Sequence, residues 1–153
     1  MANEKDAAEK TLESLNDVFS DIVNVLLFDG KQKVKEDELE QARELSVYPG
    51  DDRLREQERD TAKYWRKRKL RLALYGIENQ TVQDKDMPLR VIGYDGAGYR
   101  DQLYSVKDEA GNYRRNRNER YGVVTIVLYF GMDHWTAPKT LLEALDEVDE
   151  DLK

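Results

Sequence analysis

The sequence predicts an α/β sandwich in which a small mixed β-sheet is flanked by helices, in the order helix, strand, strand, helix, strand, helix. Three observations carry this. Apolar residues recur at helical spacing in the first 28 residues, two β-prone runs flank the basic stretch around Lys67, and an unbroken apolar run, YGVVTIVLYFG, follows at residues 121–131. Residues 81–120, between the second and third runs, contain a helical pattern, which permits a parallel crossover.

Residues 6–28 read as one helix, because Leu12, Leu15, Phe19, Ile22, Val23 and Leu26 follow one another on a single stripe and Asp29-Gly30 supplies the closing glycine. A short, very polar helix follows over residues 36–45, and VYPGDD breaks the chain after it. The runs at residues 57–65 and 70–80 form a hairpin around Lys67-Arg68-Lys69. That loop sets Asp60 opposite Gly76. Since side chains alternate along a strand, Asp60 then shares a face with Glu78 and Gln80. The same face carries Ala62, Tyr64, Leu70, Leu72 and Leu74, and the other carries Trp65, Ala73, Tyr75 and Ile77, so both faces must be covered.

Asp86 before Met87-Pro88 marks the next helix start. Gly93, Gly96 and Gly98 within that helix call for close packing on the sheet or a break near Gly96. Residues 105–120 read as a long basic loop or hairpin tip, YGVVTIVLYFG as a central strand buried on both faces, and the stretch from about Pro138 as a final helix with an acidic tail.

At 153 residues the chain is one domain by size. It has no cysteine, so neither disulfides nor thiolate metal sites hold it together. No apolar run reaches the roughly 20 residues of a membrane-spanning helix, and MANEKDAAEK is charged, so a soluble cytoplasmic protein is the simplest reading. The net charge of −7 hides an asymmetry: residues 1–52 hold 6 basic and 14 acidic side chains, residues 53–120 hold 17 and 11, and residues 121–153 hold 2 and 7. For KYWRKRKLR, a solvated turn and a phosphate-contacting tip fit the sequence equally. YRRNRNER fits a loop that grips backbone phosphate without sequence preference.

Nucleophile-elbow, Cys/His and GxxxxGK arrangements are missing. His134, the only histidine, lies in a loop with no partner at catalytic spacing and reads as structural, and Trp135 as a packing residue. That leaves Asp60, Glu78 and Gln80. Oxygen ligands on one sheet face suit a hard divalent cation that bridges two carboxylates to a phosphate. From the residues alone, two surface acids paired with neighbouring arginines remain the other reading.

The segments LNDVFSDIVNVLLFDG, LREQERDTAKYW, LALYGIENQT, MPLRVIGYDGAGYRDQL and VVTIVLYFGMDHWTAPKTLLEAL together span about residues 12–145. In their order and spacing the chain resembles the recombination-promoting nuclease family, a transposase-like branch of the PD-(D/E)XK nuclease superfamily. The resemblance implies a restriction-endonuclease-like α-β-β-α-β core and metal-dependent DNA endonuclease activity linked to recombination or mobile elements, with magnesium, or manganese in its place. Carried over by position, Asp60, Glu78 and the carbonyl of Asn79 hold the metal. Gln80 stands where the superfamily usually has lysine, able to hydrogen-bond a water but bringing no charge. Asp17, with Asp21 one turn on, supplies the first helix's acid, although Asp17 lies nearly opposite the apolar stripe. Arg90, Arg114, Arg115 and Arg117 hold the DNA backbone. The family usually continues into a further helical region, so residues 1–153 are expected to be the N-terminal core of a longer protein, which would cut both strands as a homodimer or else nick as a monomer. A catalytically inactive DNA- or protein-binding module on the same fold is the alternative.

Overall fold

In the computed structural model, which describes residues 2–42, 45–50, 53–58, 60–103, 106–107, 109–114 and 119–153, the N-terminal stripe folds as two helices and not one. Helix α1 (Ala2–Ser14) and helix α2 (Asn16–Phe28) meet at Leu15, whose backbone is extended (φ −73°, ψ 127°). Polar contacts hold this joint. Lys63 Nζ donates to the Ser14 carbonyl at 2.6 Å and to Asn16 Oδ1 at 2.5 Å, while Asn16 Nδ2 donates to the carbonyls of Glu36 and Leu39. A cation thus meets the negative end of α1, where carbonyls lack helical partners. The break alters which face is core: Phe19 and Val23 are fully buried, whereas Leu12, Leu15 and Leu26 of the predicted stripe are exposed. Asp29 (φ 52°) and Gly30 (φ 77°) close α2 in the left-handed region, as the Asp-Gly pair predicts.

The polar helix expected over residues 36–45 is replaced by a 3-10 turn (Glu36–Glu38), strand β1 (Leu39–Gln41) and the start of a hairpin of β2 (Leu45–Gly50) and β3 (Arg53–Glu58). Leu39 is buried opposite Trp65, and the Trp65 indole donates to Glu38 Oε2 at 2.9 Å. An isolated helix of that length is marginal in water, so pairing with the sheet wins.

Strands β4 (Thr61–Lys67) and β5 (Leu70–Gln80) form the predicted hairpin, but its turn is the two residues Arg68-Lys69, with Arg68 at φ 57° and a bulge between Trp65 and Arg66. Thr61 pairs with Ile77, which brings Asp60 beside Glu78 and not opposite Gly76. The shift is an even number of residues, so the predicted faces survive. Trp65, Ala73, Tyr75 and Ile77 pack with Phe19 and Val23 of α2, and Ala62 and Leu74 pack on the other face with Tyr64 half-buried beside them. Leu70 and Leu72 are exposed near the tip.

Helix α3 (Met87–Leu103) starts where the sequence places it and runs unbroken through all three glycines, with Ala97 and Gly98 buried. A small hairpin of β6 (Val106–Lys107) and β7 (Tyr113–Arg114) follows. Strand β8 (Gly122–Tyr129) then pairs parallel with β5, the crossover the chain order permits. The sheet order is β1-β4-β5-β8, so β8 is an edge strand and not the central one expected, and most of its side chains are half-buried. Side chains of α3 fasten this edge: Asp95 accepts from Thr125 Oγ1 at 2.7 Å and Gln102 holds the Tyr121 backbone through both its amide atoms. The last helix, α4 (Leu141–Ala144), is a single capped turn, much shorter than expected. The result is a mixed α/β fold, an open four-stranded sheet flanked by helices. Among the described residues no helix is long and apolar enough to cross a membrane.

Candidate functional site

The end of the β4–β5 hairpin is closed by Asp60, whose Oδ2 accepts the Asn79 N–H at 2.7 Å. In a strand a residue's N–H and carbonyl leave on the same edge, so the Asn79 carbonyl also opens toward Asp60. Glu78 is 6% exposed on the α3 face, and its Oε1 collects three donors: the Arg90 guanidinium, the Tyr94 hydroxyl at 3.0 Å and Gln80 Nε2 at 3.5 Å. Burial, and then the negative charge of Asp60, push the Glu78 carboxyl above the usual range against the opposing pull of Tyr94 and Arg90. Arg90 also donates to Asp84 Oδ2 at 2.8 Å, which holds the Asp84 carboxyl low. For Arg90 itself, burial works against the charge, but its hydrogen bonds to Asp84 and Tyr94 outweigh burial and raise its pKa.

On the opposite face, α1 delivers a further acid. Glu13, 3% exposed, accepts from Thr61 Oγ1 at 3.2 Å and from Asn79 Nδ2 at 3.1 Å. Burial raises its carboxyl, and the charges of Asp60 and Glu9 add to the effect. Lys10 Nζ lies 3.1 Å from Asp60 Oδ1. Asp60 therefore stands between the two faces, tied to α1 on one side and to β5 on the other.

The sequence-predicted Asp60, Glu78, Asn79 and Gln80 are thus brought together. Asp17 is not among them: it is exposed in the first turn of α2, beyond the break, and Glu13 is the helix acid that reaches the strands. Asp21 is exposed as well. Arg90 pairs with Glu78 and Asp84 and is 38% exposed. Arg114 lies in β7, and Arg115 and Arg117 lie outside the described residues. The basic tip is about 25–30 Å from the acids by strand rise, and two of its arginines are engaged within the fold: Arg66 and Arg71 both pair with Glu40, and Arg71 stacks 3.8 Å over the Tyr64 ring. His134 is exposed, and Trp135 packs edge-on against Tyr129 at 4.9 Å.

Sequence reasoning missed Glu9, Lys10, Glu13 and Tyr94. The signals were present as i,i+4 pairs, Glu9 with Glu13 and Arg90 with Tyr94, each on one helix face. They were masked for α1 by reading residues 6–28 as a single helix, which turns Glu13 toward solvent.

The donor set is all oxygen, the chemistry a hard divalent cation requires. Oε2 of Glu9 and the side-chain Oδ1 of Asn79 are buried without a hydrogen-bond donor among the described residues, and both lie on the Glu13 side, away from Glu78. No group of three or more acidic or histidine side chains that could hold a metal ion lies among the described residues. Clefts of about 470 and 570 Å³ open beside α3 and β8, and neither is lined by Asp60, Glu78 or Gln80. Comparison with protein-family models, with curated proteins and with solved structures finds no match to this chain.

Proposed function

We propose that the chain is a metal-dependent DNA endonuclease core on a restriction-endonuclease-like fold, hydrolysing phosphodiester bonds at the end of the β4–β5 hairpin in DNA recombination or mobile-element processing. The observation that carries this reading is the placement of Asp60 beside a buried Glu78, whose carboxyl is raised by burial and by that neighbour's charge. Two like charges held this close are relieved by a divalent cation. Magnesium bound by Asp60, Glu78 and the Asn79 carbonyl would supply charge neutralisation at the phosphate and activation of a water. Gln80, on the face of Glu78 and within 3.5 Å of its carboxylate, orients that water through its amide. Glu13 fixes the Asn79 side chain and Thr61, and so holds the strand end in register.

One observation favours a second reading, a DNA- or protein-binding module that has lost catalysis. Arg90 and Lys10 already pair with the two acids, and an acid neutralised by a basic side chain has no need of a metal. Plasmid digestion with magnesium, with EDTA, and with magnesium plus Glu78→Ala separates the two. Cleavage by wild type alone in magnesium is expected. An intact plasmid in every arm would leave the binding module standing.

A further inference from the structure

Asp60, Glu78 and Gln80 bring no positive charge to the reaction they are proposed to run, yet hydrolysis of a phosphodiester builds negative charge on the phosphate oxygens and on the leaving oxygen. The fold brings a positive charge to this point from α3. The Arg90 guanidinium and the Gln80 amide donate to the same oxygen, Oε1 of Glu78, so the two groups share one location. Arg90 is braced there. Its Nη1 donates to Asp84 Oδ2 at 2.8 Å, and its Nη2 also donates to the Tyr94 hydroxyl at 3.1 Å, which in turn donates to Glu78 at 3.0 Å. The arginine side chain is 38% exposed even with Asp84 holding Nη1 and with Glu78 and Tyr94 holding Nη2.

We infer that Arg90 is the charge-supplying catalytic residue of this site, contacting the scissile phosphate through the exposed part of its guanidinium beside Glu78; the inference rests on the nuclease reading. In the step it serves, the oxygen of a water forms a bond to phosphorus as one P–O ester bond breaks. The water's hydroxyl stays on phosphorus and its proton goes to the leaving oxygen, directly or through solvent. Guanidinium suits the task, since it is always protonated and its paired N–H groups match two phosphate oxygens. Asp84 anchors Nη1 throughout, and Tyr94 is a positioning residue that keeps Nη2 on the Glu78 side.

The test uses the full chain, magnesium and a supercoiled plasmid, with steady-state kinetics on wild type, Arg90→Gln, Arg90→Lys and the double variant Arg90→Gln/Gln80→Lys. The magnesium-induced rise in melting temperature is read on each. Arg90→Gln is expected to lower kcat about a hundredfold with KM for DNA little changed. Arg90→Lys should keep part of the rate, and lysine at position 80 should restore it, because residue 80 reaches the same oxygen. The magnesium shift should grow in Arg90→Gln, since Glu78 loses a competing cation. A lower kcat together with a lost magnesium shift would make Arg90 only a brace for Glu78 and overturn its catalytic role. Equal cutting by wild type and Arg90→Gln would overturn that role alone. A wild type that leaves the plasmid intact removes the nuclease reading and the role with it.

Discussion

Glu13 of α1 and Asn79 of β5 are 66 positions apart in the chain and 3.1 Å apart in the fold. That contact fastens the first helix to the strand end beside Asp60 and Glu78. It exists because α1 stops at Ser14: were the helix continuous to Phe28, the stripe of Leu12 and Leu15 would face the sheet and Glu13 would face water.

Cation binding should be visible without any reaction. Magnesium or manganese is expected to raise the melting temperature of wild type more than that of Asp60→Ala or Glu78→Ala, because only wild type presents both carboxylates. Equal shifts in the three proteins would sink the assignment of Asp60 and Glu78 as ligands.

Gln80 lies on the Glu78 face and is half-buried. Gln80→Lys should therefore keep cleavage or raise it, while Gln80→Leu should abolish it and leave the circular dichroism spectrum unchanged. Full activity in Gln80→Leu would mean that its amide does nothing in the reaction.

Lys63 is 2% exposed, and its ammonium serves the Ser14 carbonyl and Asn16 Oδ1 at the joint between α1 and α2. Lys63→Met keeps much of the stem's bulk but leaves two acceptors without a donor. A loss of about 1–2 kcal/mol in urea unfolding is expected, less than the sum of two charged hydrogen bonds because burial of the ammonium is itself costly and pushes its pKa down. The magnesium shift should shrink in parallel as Glu13 drifts from Asn79. Unchanged stability would show that the joint is held without the lysine.

The Glu38 carboxyl is held below its usual range, first by the hydrogen bond from the Trp65 indole. A carboxyl lowered in the folded state contributes stability that is complete above about pH 4.3 and is lost as pH falls through the folded value. Glu38→Gln, which keeps the acceptor and removes the charge, should lower stability at pH 7 by about 1 kcal/mol, a figure reduced for partial exposure. The difference should shrink as pH falls below about 4.3 and through the folded value. A gap between the two proteins that stays constant from pH 7 to pH 3 would show that the charge plays no part.

Local pattern was enough where neighbours in sequence are neighbours in space. The β4–β5 hairpin, its two faces, the start of α3 at Met87, the closure of α2 at Asp29-Gly30 and the parallel return to β8 all follow from alternation, capping residues and chain order. So does the shared face of Glu78 and Gln80, since a strand's period admits only that outcome. Contacts between distant segments decided the rest. Periodicity cannot show that Lys63 will end α1 at Ser14, because the lysine that caps the helix is 49 residues away. Nor can it show that Leu39 will pair with Trp65 instead of entering a helix, or that β8 will be an edge strand. Asp60 and Glu78 were legible as candidates, but their neighbours Glu13, Arg90 and Tyr94 come from helices whose orientation is set by burial across the whole sheet. That is a property of the packed chain and of no single segment of it.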